Sequence, residues 1–189
     1  LVIAGFMISW ELIVQVFGIK PFILPAPTAI FATMAQWAPQ ILENSLQTLF
    51  TTVVGFLIAV LFGLVGGVLI GSSTLIYNGF YPLLIGFNAI PKIAIIPILV
   101  LWFGIGTIPA VITAFLISFF PILVNVATGI ATVEPELKDV LRALGASNRQ
   151  IIMKVGLPRS MPYFFASLKV AITVAFVGSI MSETVAANR

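Results

Sequence analysis

Long uninterrupted apolar runs dominate the chain. From Asn44 to Pro91, 48 residues pass without a formal charge, and from Ile93 to Val133 another 41. One helical crossing of a bilayer takes about 20 apolar residues. Each run is therefore long enough for two crossings and too long for one. A transmembrane barrel would alternate polar and apolar positions in short segments, and these runs do not. The pattern predicts an all-α integral membrane protein with five spans, at 1–19, 44–71, 80–103, 110–131 and 161–182.

The connections follow from what interrupts the runs. Residues 20–43 hold Pro21, Pro25, Pro27 and Pro39, a density that forbids one regular spanning helix. They are expected to form an extramembrane or interfacial connection with a short amphipathic helix at Thr28–Trp37, Thr28 as its N-cap and Trp37 at the lipid–water boundary. Short turns are expected at 72–79 and 104–109. Pro91 and Pro97 are expected to loosen the third span.

Composition agrees: 60% of residues are hydrophobic, 8% are charged, and mean hydropathy is +1.19. A soluble domain would carry about a quarter charged residues. The chain has no cysteine and no histidine, which excludes disulfides, thiolate or imidazole metal sites, and triads or dyads built on those side chains. No basic region precedes the apolar start at Leu1, so no signal peptide is read. The chain reads as a fragment trimmed at both ends.

Of the fifteen charged residues, eight fall between Glu134 and Arg159. Segment 132–160 carries Lys138, Arg142, Arg149, Lys154 and Arg159, and no other connection has more than one basic residue. Basic connections stay in the cytoplasm, which places 132–160 there, with 20–43 and 104–109 outside and 72–79 inside.

That segment has internal geometry. Leu137, Val140, Leu141 and Leu144 follow the i, i+3, i+4, i+7 spacing of an amphipathic helix. Pro135 suits its first turn, Glu134 and Glu136 its positive end, and Gly145 its stop. Ser147 and Gln150 form a capping-box pattern that starts a second helix, with Ile151, Ile152 and Val155 as its apolar face and Gly156 and Pro158 as its end. A solvated loop with affinity for anionic lipid would not need two capped helices. A DNA-reading helix-turn-helix would lack room for a duplex so close to two spans. A docking element for a cytoplasmic partner fits best.

Within the spans, Gly55, Ala59, Gly63, Gly67 and Gly71 recur every four residues. Such a stripe admits close helix approach, either within one subunit or at a dimer or sliding interface. Lys92, with Asn88 one turn before it, is a charge inside an apolar run: it snorkels, or it lines a polar path. Asn125 is expected to bond between helices, and Glu183 to be a solvated interfacial carboxylate. With Pro91, these residues are the candidates for a solute pathway.

The spacing Asp139-Val140-Leu141-x3-Gly145-x9-Val155-x-Leu157-Pro158 resembles the EAA signature of importer-type ABC transporter permeases, in which E-A-A, three residues, G and nine residues precede I-x-L-P. Asp replaces Glu, Val-Leu replaces Ala-Ala, and Val replaces Ile. LPAPTAI at 24–30, FNAIPKIAIIPILVLWFGIG at 87–106, FFPILVNVATGI at 119–130 and GSIMSETVAAN at 178–188 look like the nitrate/sulfonate/taurine uptake subfamily. The resemblance implies a type-1 importer transmembrane domain over 40–189, with a sixth span missing beyond Arg189. It is preceded by an N-terminal span and extracytoplasmic connection over 1–39. It implies a multi-pass protein of the bacterial plasma (inner) membrane and a permease homodimer among membrane lipids. Two ABC ATPase subunits holding ATP and magnesium, and an extracytoplasmic solute-binding protein, would complete the assembly. Asp139, Gly145, Leu157 and Pro158 carry over from the motif; Arg142, Ala143, Ala146 and Ser147 lie at the turn where ATPase contact is expected. The subfamily's solutes are small anions or heteroaromatic compounds.

None of the five lysines follows a glycine, so the chain holds no G-x-x-x-x-G-K-[ST] loop, and ATP use is expected in a partner. Two alternatives weigh less. An ion-coupled secondary transporter needs intramembrane carboxylates, and the spans offer Glu11 and Glu183. A membrane-embedded enzyme would have a poor catalytic inventory.

Overall fold

A computed structural model describes residues 1–187, with side chains through Val185; Asn188, the end of the last resembling stretch, and Arg189 lie outside the described residues. The fold is helical and divides into two units, Leu1–Leu46 and Gln47–Arg189.

In the first unit, α1 (Val2–Val16) and α2 (Pro27–Gln36) are joined through a carboxylate. Glu11 accepts the Thr28 amide at 3.0 Å and the Thr28 hydroxyl at 2.8 Å. Thr28 is therefore not the N-cap. Ala26 takes that position and Pro27 opens the helix, because proline's fixed φ suits the first turn and its absent N–H is no loss there. Glu11 then supplies the acceptor that a capping side chain would have given.

Helix α3 (Ala38–Gly71) starts six residues before the expected span, with Pro39 in its first turn, where proline is tolerated. At 34 residues it is about 51 Å long, more than a hydrocarbon core requires.

In the second unit, Ser73 caps α4 (Thr74–Ala89) by accepting the Ile76 amide. The expected turn at 72–79 is thus confined to its first residues. Tyr77 and Tyr81 pair one turn apart with ring centroids 5.0 Å apart, and Tyr77 Oη lies 3.2 Å from Thr128 Oγ1. These contacts hold in helix a stretch whose Asn78 and Gly79 favour turns.

The third span is broken. Ile90 is extended, as the residue before a proline prefers. A 3-10 turn follows at Lys92–Ile95, then α5 (Ile96–Phe103), and the two arms are bent by 70°. Pro91 makes the break; Pro97 falls in the first turn of α5 and interrupts nothing.

Helix α6 (Thr107–Ala131) is central. It packs against both the α3 stripe and α9 (Leu157–Ala187), and α3 and α9 also meet each other. Ala59, Ile122, Val126, Ile130 and Ala171 form the apolar core between them.

Between α6 and α9 lie α7 (Pro135–Ala143) and α8 (Asn148–Ile151). Gly156 and Pro158 do not end the second of these helices. A π turn at Ile152–Gly156 carries α8 directly into α9, giving one helical run over Asn148–Val185. Proline lacks an N–H and its ring crowds the carbonyl one turn back; the wider π turn relieves both demands. A Cβ at Gly156 would come 3.3 Å from Ile130 Cγ2, a tight contact that a small shift of that side chain would relieve.

All five expected spans are helical in whole or in part, though they differ in form. Among the described residues, three helical runs are long and apolar enough to cross a membrane: Ala38–Gly71, Thr107–Ala131 and Asn148–Val185. The bent pair Thr74–Ala89 and Lys92–Phe103 makes a fourth if counted as one span, and α1 is shorter, at 15 residues.

Candidate functional site

The charged segment folds as its sequence directs. Helix α7 begins with Pro135 at its first position. It ends in a Schellman motif: the Gly145 amide donates to Arg142 O at 2.9 Å and the Ala146 amide to Leu141 O at 3.0 Å. Gly145 has φ +84, a left-handed conformation that L side chains resist. The chain restarts at once. Ser147 N donates to Gln150 Oε1 at 2.8 Å, and Gln150 N donates to Ser147 Oγ at 3.3 Å. This is the reciprocal capping box the sequence predicts.

Three basic side chains fix this knuckle. Arg142 donates to Asp139 at 3.0 Å and to Asn148 Oδ1 at 3.4 Å, bridging α7 and α8. Lys138 Nζ reaches the last carbonyl of α6, Ala131 O, at 3.3 Å, a favourable place for a cation. Arg159, in the first turn of α9, holds Glu134 with two nitrogens on two oxygens; Nη2 to Oε1 measures 2.9 Å. That last pair escapes sequence reasoning, because no periodicity joins residues 25 apart.

The knuckle presents apolar side chains to its surroundings. Val140 is 57% exposed and Leu144 is 79% exposed, and Ala143 beside them is also exposed. A cavity of about 300 Å³ lies between α7 and α8, lined by Leu141, Leu144, Ala146, Ile151 and Val155 and by the polar Gln150 and Lys154. Asp139, Arg142, Ala143, Gly145, Ala146 and Ser147 are thus gathered on one structure. Leu157 and Pro158 fall beyond the π turn, at the base of α9.

The other candidates are dispersed. Lys92 Nζ lies 3.0 Å from Asn88 O, 3.3 Å from Asn88 Oδ1, and 4.8 Å from the centre of the Phe120 ring. It closes the carbonyl end of α4 just before the Pro91 break. Among the described residues Asn125 makes no bond between helices: its amide donates to Pro121 O in its own helix, at 2.8 Å. That bond answers the donor within one turn, so no neighbouring helix is required. Glu183 is not simply solvated either. It is half-buried and accepts Thr48 Oγ1 at 2.6 Å, Thr51 Oγ1 at 3.2 Å and Ser179 Oγ at 3.4 Å. Thr51 and Ser179 are fully buried and 2.5 Å apart.

The glycine stripe is consumed within the chain. A Cβ at Gly55 would come 2.7 Å from Ala114 Cβ; at Gly63, 2.8 Å from Ile122 Cγ2; at Gly67, 2.6 Å from Val126 Cβ; at Gly71, 2.7 Å from Ala127 O. With Ala59 fully buried, the stripe seats α3 on α6, and this face is closed to a dimer partner. Thr51 extends the stripe by one step, and Ser167, Ala171, Ala175, Ser179 and Glu183 repeat the four-residue spacing on α9. That shared spacing was the available signal for the hydroxyls around Glu183.

Comparison with known proteins agrees with this architecture. The family described as "Binding-protein-dependent transport system inner membrane component" matches residues 59–189. A formylaminopyrimidine transport permease protein, ThiX, of Halalkalibacterium halodurans is 29% identical over 183 residues, covering 96% of this chain and 73% of the relative. A riboflavin transport system permease protein, RibX, of Chloroflexus aurantiacus is 30% identical over 182 residues, with coverages of 95% and 68%. A nitrate import permease protein, NrtB, of Synechococcus elongatus is 26% identical over 197 residues, with coverages of 97% and 69%. The chain belongs to the family of inner-membrane permeases of binding-protein-dependent ABC importers, and is a multi-pass membrane protein.

Proposed function

We propose that this permease forms a solute pathway and couples it to a separate ATPase through the knuckle at 134–159. One observation carries the reading: an exposed apolar edge, Val140 and Leu144, sits on a capped helix–turn–helix that is continuous with the long helix α9. A loop that only connected two spans would not need the Schellman turn, the capping box and the exposed leucine together. The surplus of Lys and Arg assigns this segment to the cytoplasm, where the ATPase would meet it. Asp139, Arg142, Ala143, Gly145, Ala146 and Ser147 form the contact, and Leu157 and Pro158 form its junction with α9.

ATP and magnesium belong to the partner in this reading. Two ATPase copies engage two permease copies, and an external binding protein delivers the solute. The solute class is small anions or heteroaromatic compounds, as the names of the relatives illustrate. Asn88, Pro91 and Lys92 at the helix break are the favoured contacts for a polar solute group. Asn125 and Glu183 are the secondary candidates.

The test uses the absence of native cysteine. Val140→Cys or Leu144→Cys should cross-link to single cysteines in the groove of the ATPase of the same transport system, and the permease should stimulate that ATPase in liposomes. Absence of cross-linking at both positions, with an assembled complex, would sink the assignment.

A further inference from the structure

We propose that Glu134 and Arg159 are positioning residues for the coupling stroke: their ion pair clips the two ends of the knuckle together, so that movement of α7 is delivered to α9. The inference rests on the coupling role argued above. Along the covalent path, force from α7 must pass two compliant points before it reaches α9. The first is the turn at Gly145, with φ +84 and no atom within 4 Å of a Cβ placed there. The second is the π turn at Ile152–Gly156, a geometry at which helices kink.

The clip bypasses both. Glu134 is the residue that precedes α7, and Arg159 is the third residue of α9. The guanidinium engages both carboxylate oxygens, and such a two-point contact fixes direction as well as distance. Packing anchors the clip on both sides. Val133, beside Glu134, is 3% exposed. Ser160, beside Arg159, is fully buried against Gly129, where a Cβ would come 2.9 Å from Ser160 Cβ. Lys138 adds a second strut from α7 to the end of α6. The knuckle is thereby a closed frame rather than a hinged loop.

The experiment reads motion of α9 in complexes with the ATPase of the same transport system, using MgATP and vanadate as the probe. In a chain without native cysteine, Val170→Cys carries a nitroxide spin label on a side of α9 that this chain's own helices leave uncovered. Trapping with MgATP and vanadate should change its spectrum. Glu134→Gln and Arg159→Gln should each shrink that change, by roughly fivefold for an exposed two-point pair. The exchange Glu134→Arg with Arg159→Glu should restore most of it, which a loss of folding would not allow. Cross-linking of Val140→Cys to the ATPase should persist in all of them. A full ATP-dependent change in both single variants, or an exchange no better than either, overturns the clip while leaving the docking role intact. Loss of the cross-link in the parent chain would overturn the docking role and the clip with it.

Discussion

Thr48 Oγ1 donates to Glu183 Oε2 at 2.6 Å, tying α3 to the far end of α9. Thr51 and Ser179 complete the cluster, and both are fully buried. Removing the acceptor takes one hydrogen bond from each of three hydroxyls, although Thr51 keeps Gln47 O, Thr48 O and Ser179 Oγ as partners, so the loss is that of the bonds rather than of stranded polar groups. Glu183→Ala should destabilise the protein by roughly 1–2 kcal/mol, since bonds between membrane helices average well under that each. Glu183→Gln, which keeps one acceptor oxygen, should cost less. Thermal unfolding in detergent reads both. An Ala variant as stable as the parent would show that the cluster holds nothing together.

The stripe on α3 gives a sharper stability test. Gly67→Ala places a methyl 2.6 Å from Val126 Cβ and 2.9 Å from Leu123 O. The backbone cannot give way as a side-chain tip could, so α3 must shift off α6, at a cost of about 1–3 kcal/mol. Gly79→Ala meets nothing within 4 Å and lies inside α4, where alanine gains roughly 0.5–1 kcal/mol over glycine. Unfolding temperatures should therefore move in opposite directions. Equal shifts of the two variants would remove the close-approach explanation.

How much of this was legible beforehand depended on the range of the interaction. Spacings of three and four residues found α7, its glycine stop, the capping box and the α3 stripe, because those signals are local. Which partner the stripe meets is not a local property: the same glycines would serve a dimer, and only the fold shows α6 against them. The π turn was missed because Gly156 and Pro158 ordinarily end a helix, and one extra residue per turn leaves no periodic mark. The clip at Glu134 and Arg159 is tertiary, and single positions along the chain do not announce it; the hydroxyls around Glu183 left only the shared four-residue spacing on α3 and α9 as a trace.

Gly145 tests the knuckle itself. With φ at +84, a β-branched residue meets the Cβ–carbonyl clash of the left-handed region, worth about 1–2 kcal/mol. Gly145→Val should leave the protein in the membrane while lowering its stimulation of the ATPase. Gly145→Asn should be milder, since asparagine tolerates that conformation. Asp139→Ala should be milder again: its ion pair with Arg142 leaves the side chains 53% and 72% exposed, and such pairs contribute at most about 1 kcal/mol. The ordering Val, Asn, Ala in ATPase stimulation checks the geometry; wild-type stimulation by the Val variant would refute it.

The pH response of Glu134 follows from its partner. Hydrogen bonds from Arg159 hold its carboxyl below the usual carboxylate range, while the free side chain titrates at about 4.3. With the folded value depressed, the folded state binds fewer protons than the unfolded state through that interval. The contribution of the pair is then fully present above the unfolded value and is lost as pH falls through the folded one. The infrared carboxylate band that disappears in Glu134→Gln identifies this residue. In the parent protein that band should survive acidification through about pH 4.3 and fade only below it. In Arg159→Gln it should fade in the ordinary range. A band that titrates identically in the two proteins would mean that the guanidinium does not hold the carboxylate.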